Sequence, residues 1–567
     1  MSASDVSASD VSAFELVEVV PVDPRVGRVY EHGWQSWSPS GTYPVTATSY
    51  RPRRPEIATM CYRPGRPAPA AGFQGEGLLA VDPGDGGPVR VYGATDPTTI
   101  PSIRASTADG RLTVSADGPV TAGTFAGPLP AALGSWADGY VAGLGSQGGA
   151  DAVPALRPAP TGWCSWYRYY TEVTEADVVE NLAAIGTAEL PVDVIQLDDG
   201  WQAEVGDWLA YSDRFASLAD LAARIRDAGR RPGIWVAPFL VGARSLVARE
   251  HPEWLVGGPD APVDAGHNWA QDLFALDVTH PGAAGYLRTV FGRLGELGFD
   301  YLKLDFLYAG ALDGPRAGDS QQGSQPGSQP GSGPGSQPGP PLSPPGSPSG
   351  SEPRSQLSPR PGSEPGSPPG PLGFPSGSGP GSRAGSPPGS EPGSPPGSEP
   401  GFPSGSGPGS GPGSQPGGRA LQAYRAGLRL IRDSLGPEPY LLGCGAPMLP
   451  SVGLVDGMRV SADIGPDVEP EGGDPSRPSQ FGATLSVVGR AFQQGRFWVN
   501  DPDCLLARPG MRGREEWAAV VERYGGLRCS SDRIAELDEW GLSTTRRLLS
   551  TVPPPTPFAV EDSSNES

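Results

Sequence analysis

The feature that most constrains the fold is a repeated alternation of short apolar segments with amphipathic helical patterns from Thr161 onward. Because parallel strands need a crossover between them, usually a helix, this alternation predicts a parallel sheet. About eight strands are expected, the number that closes a (β/α)8 TIM barrel. A doubly wound open sheet is the alternative, but the sequence lacks the Gly-rich phosphate loop that normally follows its first strand. The strands are expected in the segments TGWCSW, VDVIQLDD, RRPGIWVAPF, FDYLKLDF, PYLLGCG, GMRVSAD, RFWVND and LRCSSD.

Polar residues gather at the carboxyl ends of these predicted strands, the face on which such barrels carry their active sites. Because strand side chains alternate between faces, Lys303 and Asp305 share a face, and Arg459 and Asp463 are predicted to repeat that arrangement on another strand. Unpaired buried charges are costly, so both pairs are expected to meet in one polar pocket. Two carboxylates beside fixed cations suggest acid/base or nucleophilic chemistry, with structural salt bridges as the alternative.

The segment 318–418 consists of SQPGS, SPPGS and SEPGS units with almost no hydrophobic residues. It cannot bury enough apolar area to offset chain entropy, so it is predicted to be disordered. The helical pattern after it, with apolar residues three and four apart, reads as the partner of the fourth barrel strand. The insert therefore interrupts one β-loop-α unit, and the barrel is expected in two parts, 156–317 and 419–550.

The residues before the barrel have a different pattern. Short alternating runs separated by Pro and Gly predict an antiparallel β-sandwich over 14–155, without a long helical pattern. Trp34 and Trp37 are expected on opposite sides of a strand, so that one of them leaves the sandwich core. Disordered tails are predicted at 1–13 and 551–567.

Charge and composition exclude several functions. The chain has 42 Lys and Arg against 63 Asp and Glu, and its formal charge of −21 would repel nucleic acid and anionic membranes. Five scattered cysteines argue against a disulfide framework or a thiolate zinc site, and the 4 histidines lack ligand spacing. No metal or cofactor is therefore expected. The sequence also shows no signal peptide and no long apolar run, so a cytoplasmic protein is predicted.

Six motifs, in order, resemble the retaining α-galactosidases (melibiases) of glycoside hydrolase family 36: GWCSWYRYY, the LDDGW box, GIWVAPF, YLKLDFLYAGA, LLGCGAPMLPSVGLVDGMR and FWVNDPDC. GWQSWSP resembles the N-terminal sandwich signature of that family. The resemblance implies Asp305 as nucleophile and Asp463 as acid/base. It implies that the galactose 4- and 6-hydroxyls are held by Asp198 and Asp199. It further implies ring-hydroxyl contacts from Lys303, Cys444 and Arg459, aromatic walls from Trp166, Tyr167 and Trp235, and a sandwich tryptophan, Trp37, over the pocket.

The expected activity is exo-acting hydrolysis of terminal α-linked galactose, from sugars such as melibiose or raffinose, with retention through a covalent galactosyl-Asp305 intermediate. A raffinose-type galactosyl transglycosylase and an α-N-acetylgalactosaminidase would use nearly the same residues and stay open as alternatives. Two other classes are a Schiff-base aldolase using Lys303 and a non-catalytic sugar-binding protein. The carboxylate beside Lys303 argues against the first, and the intact pair of aspartates against the second. The small C-terminal β-domain usual in the family is expected to be missing or shortened.

Overall fold

The computed structural model describes residues 14–52, 55–146, 153–320 and 416–559. The tail predicted at 1–13, most of the insert predicted at 318–418 and the end of the tail predicted at 551–567 lie outside these residues. Within them, α-helix begins at Pro416, earlier than the predicted end of the insert. Part of the predicted C-terminal tail also contacts the barrel, since the ring of Phe558 lies 6.3 Å from that of Tyr524.

The N-terminal part is a β-sandwich, as predicted, with two antiparallel sheets. Inward residues alternate with outward ones, and Val29, Leu79 and Leu112 are among those that fill the space between the sheets. The strands are β1 (Glu15–Pro21), β2 (Arg28–Glu31), β3 (Gly41–Pro44), β4 (Phe73–Glu76), β5 (Leu78–Asp82), β6 (Val89–Gly93), β7 (Ser102–Ala108), β8 (Arg111–Ala116) and β9 (Thr121–Phe125). One sheet has the order β1-β8-β7-β4 and the other β3-β2-β5-β6-β9.

Two helices accompany the sandwich, α1 (Pro55–Cys61) and α2 (Leu129–Ser146), so the expectation of a segment without a long helix is wrong. In α2 the buried residues Ala132, Leu133, Trp136 and Tyr140 recur three and four positions apart. That spacing is a helical signal, interrupted in the sequence by several glycines, which lower helix propensity.

Eight parallel strands form the second part, and their order confirms the predicted barrel. From β10 onward the strands are β10 (Gly162–Cys164), β11 (Val194–Leu197), β12 (Arg231–Val236), β13 (Leu240–Gly242), β14 (Asp264–Asn268), β15 (Gln271–Ala275), β16 (Tyr301–Leu304), β17 (Tyr440–Gly443), β18 (Gly457–Arg459), β19 (Val499–Asp501) and β20 (Cys529–Ser530). The barrel order is β19-β18-β17-β16-β12-β11-β10-β20. A parallel bridge between Leu505 and Ser530, just beyond β19, joins the two edges.

Helices follow each barrel strand: α3 (Trp166–Tyr169), α4 (Glu175–Thr187), α5 (Leu218–Asp227), α6 (Leu246–Glu250), α7 (Pro281–Leu297), α8 (Pro416–Leu435), α9 (Met448–Ser451), α10 (Gln480–Gly489), α11 (Arg514–Tyr524) and α12 (Glu539–Leu549). Thr174 caps α4 in a capping box with Asp177, which satisfies backbone groups at the helix start. Tyr424, Leu428 and Ile431 of α8 are fully buried. This helix therefore follows the fourth barrel strand, as the sequence predicts.

The chain between β12 and α7 departs from expectation. A helical stretch is expected there, but the structure has the small antiparallel sheet β13-β15-β14 together with the short helix α6. Strands β14 and β15 form a hairpin whose turn is Trp269-Ala270, between the paired residues Asn268 and Gln271. This hairpin leaves the barrel at the carboxyl end of β12 and so belongs to the face where barrel active sites lie.

Candidate active site

Asp305 immediately follows β16 and is buried at the carboxyl end of the barrel. Its backbone N–H still donates to Val236 of the neighbouring strand, which holds the residue in the barrel wall. The indole Nε1 of Trp235 donates to Asp305 Oδ2 at 2.9 Å, and the Phe306 N–H donates to Oδ1 at 2.8 Å. Lys303 Nζ lies 3.6 Å from Asp305 Oδ2. The carboxylate is thus fixed by directed donors beside a cation.

Lys303 joins Asp305 to the LDDGW box. Its Nζ lies 3.1 Å from Asp198 Oδ2, so one ammonium group bridges two buried carboxylates. Burial alone would lower the pKa of Lys303, but the negative charges of Asp198 and Asp305 outweigh it and raise that pKa well above its ordinary value. Lys303 is therefore a fixed cation and not a neutral amine.

Asp463 is not placed on a strand, and this part of the prediction is wrong. Strand β18 ends at Arg459, while Ser461 and Asp463 lie in the loop that follows it. The Ser461 hydroxyl turns away and donates to the Pro502 carbonyl at 3.1 Å. Arg459 and Asp463 nevertheless meet, because the long guanidinium side chain reaches Asp463 Oδ1 at 3.2 Å.

Arg459 also binds two carboxylates that the sequence did not single out as site residues. Its Nε lies 3.1 Å from Asp501 Oδ2, and its Nη2 lies 2.8 Å from Asp503 Oδ1. Asp503 has a φ of 100°, a backbone conformation that residues other than glycine rarely adopt. Its other oxygen accepts hydrogen bonds from the Tyr167 hydroxyl and from the Ile464 N–H. One guanidinium therefore organises three carboxylates.

Burial raises the pKa of Asp463, and the negative charges of Asp305 and Asp501 add to the rise, while Arg459 and Lys303 oppose it. The environment therefore favours a protonated Asp463 more than an exposed site would. A fixed carboxylate and a carboxyl group that retains its proton are the two components of acid-assisted nucleophilic displacement at an acetal carbon.

Asp198 and Asp199 follow β11 and lie buried next to Lys303. Gln196 Nε2 and the Cys164 thiol donate to Asp198 Oδ2, at 2.5 Å and 3.3 Å. Asp199 is held at both oxygens, by Gln202 Nε2 at 2.6 Å and by Trp269 Nε1 at 2.8 Å. Gln202 and Trp269 were not predicted as site residues. The acceptors expected for sugar hydroxyls are thus fixed in orientation by donors from several loops.

The aromatic residues cluster around Phe306, the residue after Asp305. The ring of Trp37 lies edge-on to Phe306 at 4.9 Å, and those of Trp269 and Trp235 lie 5.1 Å and 6.5 Å from it. The loop that carries Trp37 comes close because of Gly445, where a Cβ atom would lie 2.9 Å from Trp37 Cη2. Among the described residues, the buried Trp37 indole N–H has no hydrogen-bond partner. Its hydrogen-bonding capacity is therefore not used within the described structure.

The two sandwich tryptophans differ from expectation. They lie in the loop between β2 and β3 and not on a strand, and both belong to the core shared with the barrel. Trp34 lies under the guanidinium of Arg63, whose Cζ is 4.6 Å from the ring centroid. Trp37 alone turns toward Phe306. The sandwich is thus joined to the carboxyl face of the barrel through this loop.

The remaining predicted site residues are placed as follows. Cys444 is buried at the end of β17, and burial together with the charge of Asp305 raises the pKa of its thiol well above the ordinary value, while Arg459 opposes the rise. Trp166 begins α3 and is half-buried with its ring 5.3 Å from that of Tyr170. Tyr167 is buried, and its hydroxyl donates a hydrogen bond to Asp503.

Within the described ranges, no group of three or more His, Cys, Asp or Glu could hold a metal ion.

The family model described as Melibiase matches residues 157–314, which include β10 to β16 and Asp305. The first part of the barrel is thus similar to the melibiase family. The predicted resemblance to the α-galactosidases of glycoside hydrolase family 36 is thereby confirmed.

Curated relatives match about a quarter of this chain. The α-galactosidase AgaA of Geobacillus stearothermophilus is 29% identical over 150 residues, 25% of this chain and 20% of that protein. The α-galactosidase of Escherichia coli is 28% identical over 156 residues, 25% of this chain and 21% of that protein. The chain thus matches about a fifth of the length of these relatives.

A solved structure matches the sandwich and barrel together. TtGalA, an α-galactosidase from Thermus thermophilus in complex with p-nitrophenyl α-D-galactopyranoside, superposes with a TM-score of 0.65 and 25% identity. The match covers 95% of this chain and 90% of that chain.

No helix among the described residues combines the length and apolarity needed to cross a membrane.

Proposed function

We propose that this chain is a retaining, exo-acting α-galactosidase of the cytoplasm, with terminal α-galactosides as substrates. The observation that carries the proposal is the pairing of two differently held carboxylates. Asp305 is fixed by an indole donor at 2.9 Å beside Lys303, and Asp463 is buried with a raised pKa. Glycosidic bond cleavage with retention needs this combination of nucleophile and proton donor.

In the proposed mechanism, Asp305 attacks the anomeric carbon of galactose while Asp463 donates its proton to the departing oxygen. The product is a covalent galactosyl ester of Asp305. Asp463, now ionised, then takes a proton from a water molecule that attacks the same carbon and releases Asp305. Two inversions at one carbon give net retention.

The proposed galactose specificity rests on Asp198 and Asp199. Both are buried and oriented by donors, so their remaining lone pairs would accept hydrogen bonds from the axial 4-hydroxyl and from the 6-hydroxyl. An epimer with an equatorial 4-hydroxyl would leave a buried acceptor unpaired, which disfavours its binding. The Schiff-base alternative is disfavoured because Lys303 contacts two carboxylates and keeps its proton.

The test is turnover of p-nitrophenyl α-galactoside, with the β-galactoside and α-glucoside as controls, and proton NMR of the first sugar product. The expected result is cleavage of the α-galactoside with α-galactose formed first. Asp305→Asn should abolish this activity, whereas Asp227→Asn, on the exposed end of α5, should not change it. β-Galactose as the first product, or turnover by the Asp305→Asn protein, would contradict the mechanism.

A further inference from the structure

Trp269 has a backbone conformation that bulky residues rarely adopt. It forms, with Ala270, the turn of the hairpin β14–β15, and their φ angles are 50° and 53°. Hairpin turns of two residues with positive φ are usually built from Asn, Asp and Gly. A tryptophan followed by an alanine is therefore strained at this position, and strain of this kind often marks a functional residue.

The surrounding structure holds the turn in place. Arg244 Nη1 donates to the carbonyls of Trp269 and Ala270, at 3.1 Å and 3.2 Å. The same guanidinium pairs with Glu204 at 3.1 Å, and Gln271 Nε2 donates to Glu204 at 2.7 Å. Glu204 lies in the loop that follows Asp199. The turn is thus fixed against the loop that carries a predicted sugar acceptor.

The side chain of Trp269 uses this position to reach Asp199. Its indole Nε1 donates to Asp199 Oδ2 at 2.8 Å, while Gln202 holds Oδ1 at 2.6 Å. Asp199 is buried, and the half-buried Trp269 ring lies 5.1 Å from the ring of Phe306. The indole therefore orients a buried carboxylate and also lies beside the residue that follows Asp305.

We propose that Trp269 is a specificity-determining positioning residue, whose indole N–H sets the angle at which Asp199 accepts one galactose hydroxyl. This inference rests on the proposed function. A carboxylate held at both oxygens cannot rotate, so its free lone pairs keep one direction. Without the indole donor, Gln202 is the remaining side-chain donor to Asp199 within the described part of the chain, and recognition of that one hydroxyl weakens while the rest of the site is kept.

The test is Trp269→Phe, which retains an aromatic ring and removes the N–H. Substrates are p-nitrophenyl α-galactoside and its 4-deoxy and 6-deoxy analogues. We expect kcat/KM on the galactoside to fall by about 10-fold or more, the range for a hydrogen bond to a charged group. One deoxy analogue, which lacks the hydroxyl that Asp199 accepts, should lose much less. The control is Trp254→Phe, a half-buried tryptophan stacked on His251.

Equal losses on all three substrates, or no loss on the galactoside, would overturn the role of Trp269. If the wild-type protein cleaved none of the three, the proposed function itself would fail, which is a distinct result. Should Trp269→Phe lower Tm, the comparison is repeated with a protein that carries both Trp269→Phe and Ala270→Gly, and a protein that carries Ala270→Gly alone is its reference. Glycine adopts positive φ without strain and should raise Tm. Ala270→Gly alone is expected to leave kcat/KM unchanged.

Discussion

We expect Arg490→Met to lower the free energy of unfolding by about 3 kcal/mol or more and to impair catalysis in the molecules that stay folded. Arg490 follows α10 and is completely buried. Its guanidinium donates to the carbonyls of Ser36 at 2.7 Å, and to those of Gln35, Ser38 and Val460 at 2.8 Å each. One side chain therefore joins the sandwich loop of Trp37 to the barrel.

The magnitude follows from these four hydrogen bonds. Methionine fills much of the space of the arginine stem but donates nothing, so four carbonyls lose this donor. The Gln35 carbonyl keeps a hydrogen bond from the Ser38 N–H, so three carbonyls are left unsatisfied. An unsatisfied buried carbonyl costs about 1–3 kcal/mol, which gives about 3 kcal/mol as the lower end. A matched control is Arg512→Met, because Arg512 is 74% exposed and, among the described residues, its guanidinium pairs with the exposed Asp467. An exposed pair contributes at most about 1 kcal/mol.

The catalytic effect follows from position. Val460 precedes Asp463 in the same loop, and residues 35–38 place Trp37 against Phe306. Urea unfolding followed by tryptophan fluorescence gives the stability, and kcat/KM on p-nitrophenyl α-galactoside gives the function. If Arg490→Met lost no more stability than Arg512→Met, the four hydrogen bonds would not hold the two parts together and the reasoning would be refuted.

Three further predictions concern the site. Asp463→Ala should reduce kcat/KM about 10²–10⁴-fold on substrates with poor leaving groups and far less on activated aryl galactosides, and equal losses would contradict its role as acid. In the proposed mechanism Asp463 must be protonated, so kcat/KM should fall as pH rises through its pKa. Asp501→Asn removes a negative neighbour and should move this fall to lower pH, which a pH profile measures. Trp37→Phe should raise KM with little change in Tm; an unchanged KM would exclude a sugar contact.

The barrel was predictable because its signals are local. Strands such as β11 and β16 are short apolar runs. Strands of a parallel sheet that are buried on both faces typically have such sequences. Asp305 was predictable for the same reason, since it directly follows a strand and shares the face of Lys303. Strand periodicity fixes both the position and the direction of these side chains.

Asp463, Asp503 and Trp269 show where sequence reasoning is insufficient. Asp463 was expected on a strand, but β18 ends at Arg459 and a loop brings the carboxylate back to the guanidinium. Asp503 and Trp269 have positive φ angles that no local propensity favours. Their conformations depend on tertiary contacts, such as the Tyr167 hydroxyl on Asp503 and Arg244 on the turn of Trp269. Such contacts are not encoded in the spacing of a motif.

The numbers of cations and carboxylates in the site explain why its residue types indicate acid/base chemistry even where the sequence did not predict their geometry. Two cations, Lys303 and Arg459, contact five buried carboxylates, those of Asp198, Asp305, Asp463, Asp501 and Asp503. If all five were ionised, a net negative charge would remain in a buried site, so at least one proton is expected to be retained. Asp305 receives two directed hydrogen bonds beside Lys303, whereas Asp463 has one contact to a guanidinium that Asp501 and Asp503 also share. Of these two groups, Asp463 is the better placed to keep a proton, which separates the acid from the nucleophile. Burial likewise raises the pKa of Asp198 and of Asp503.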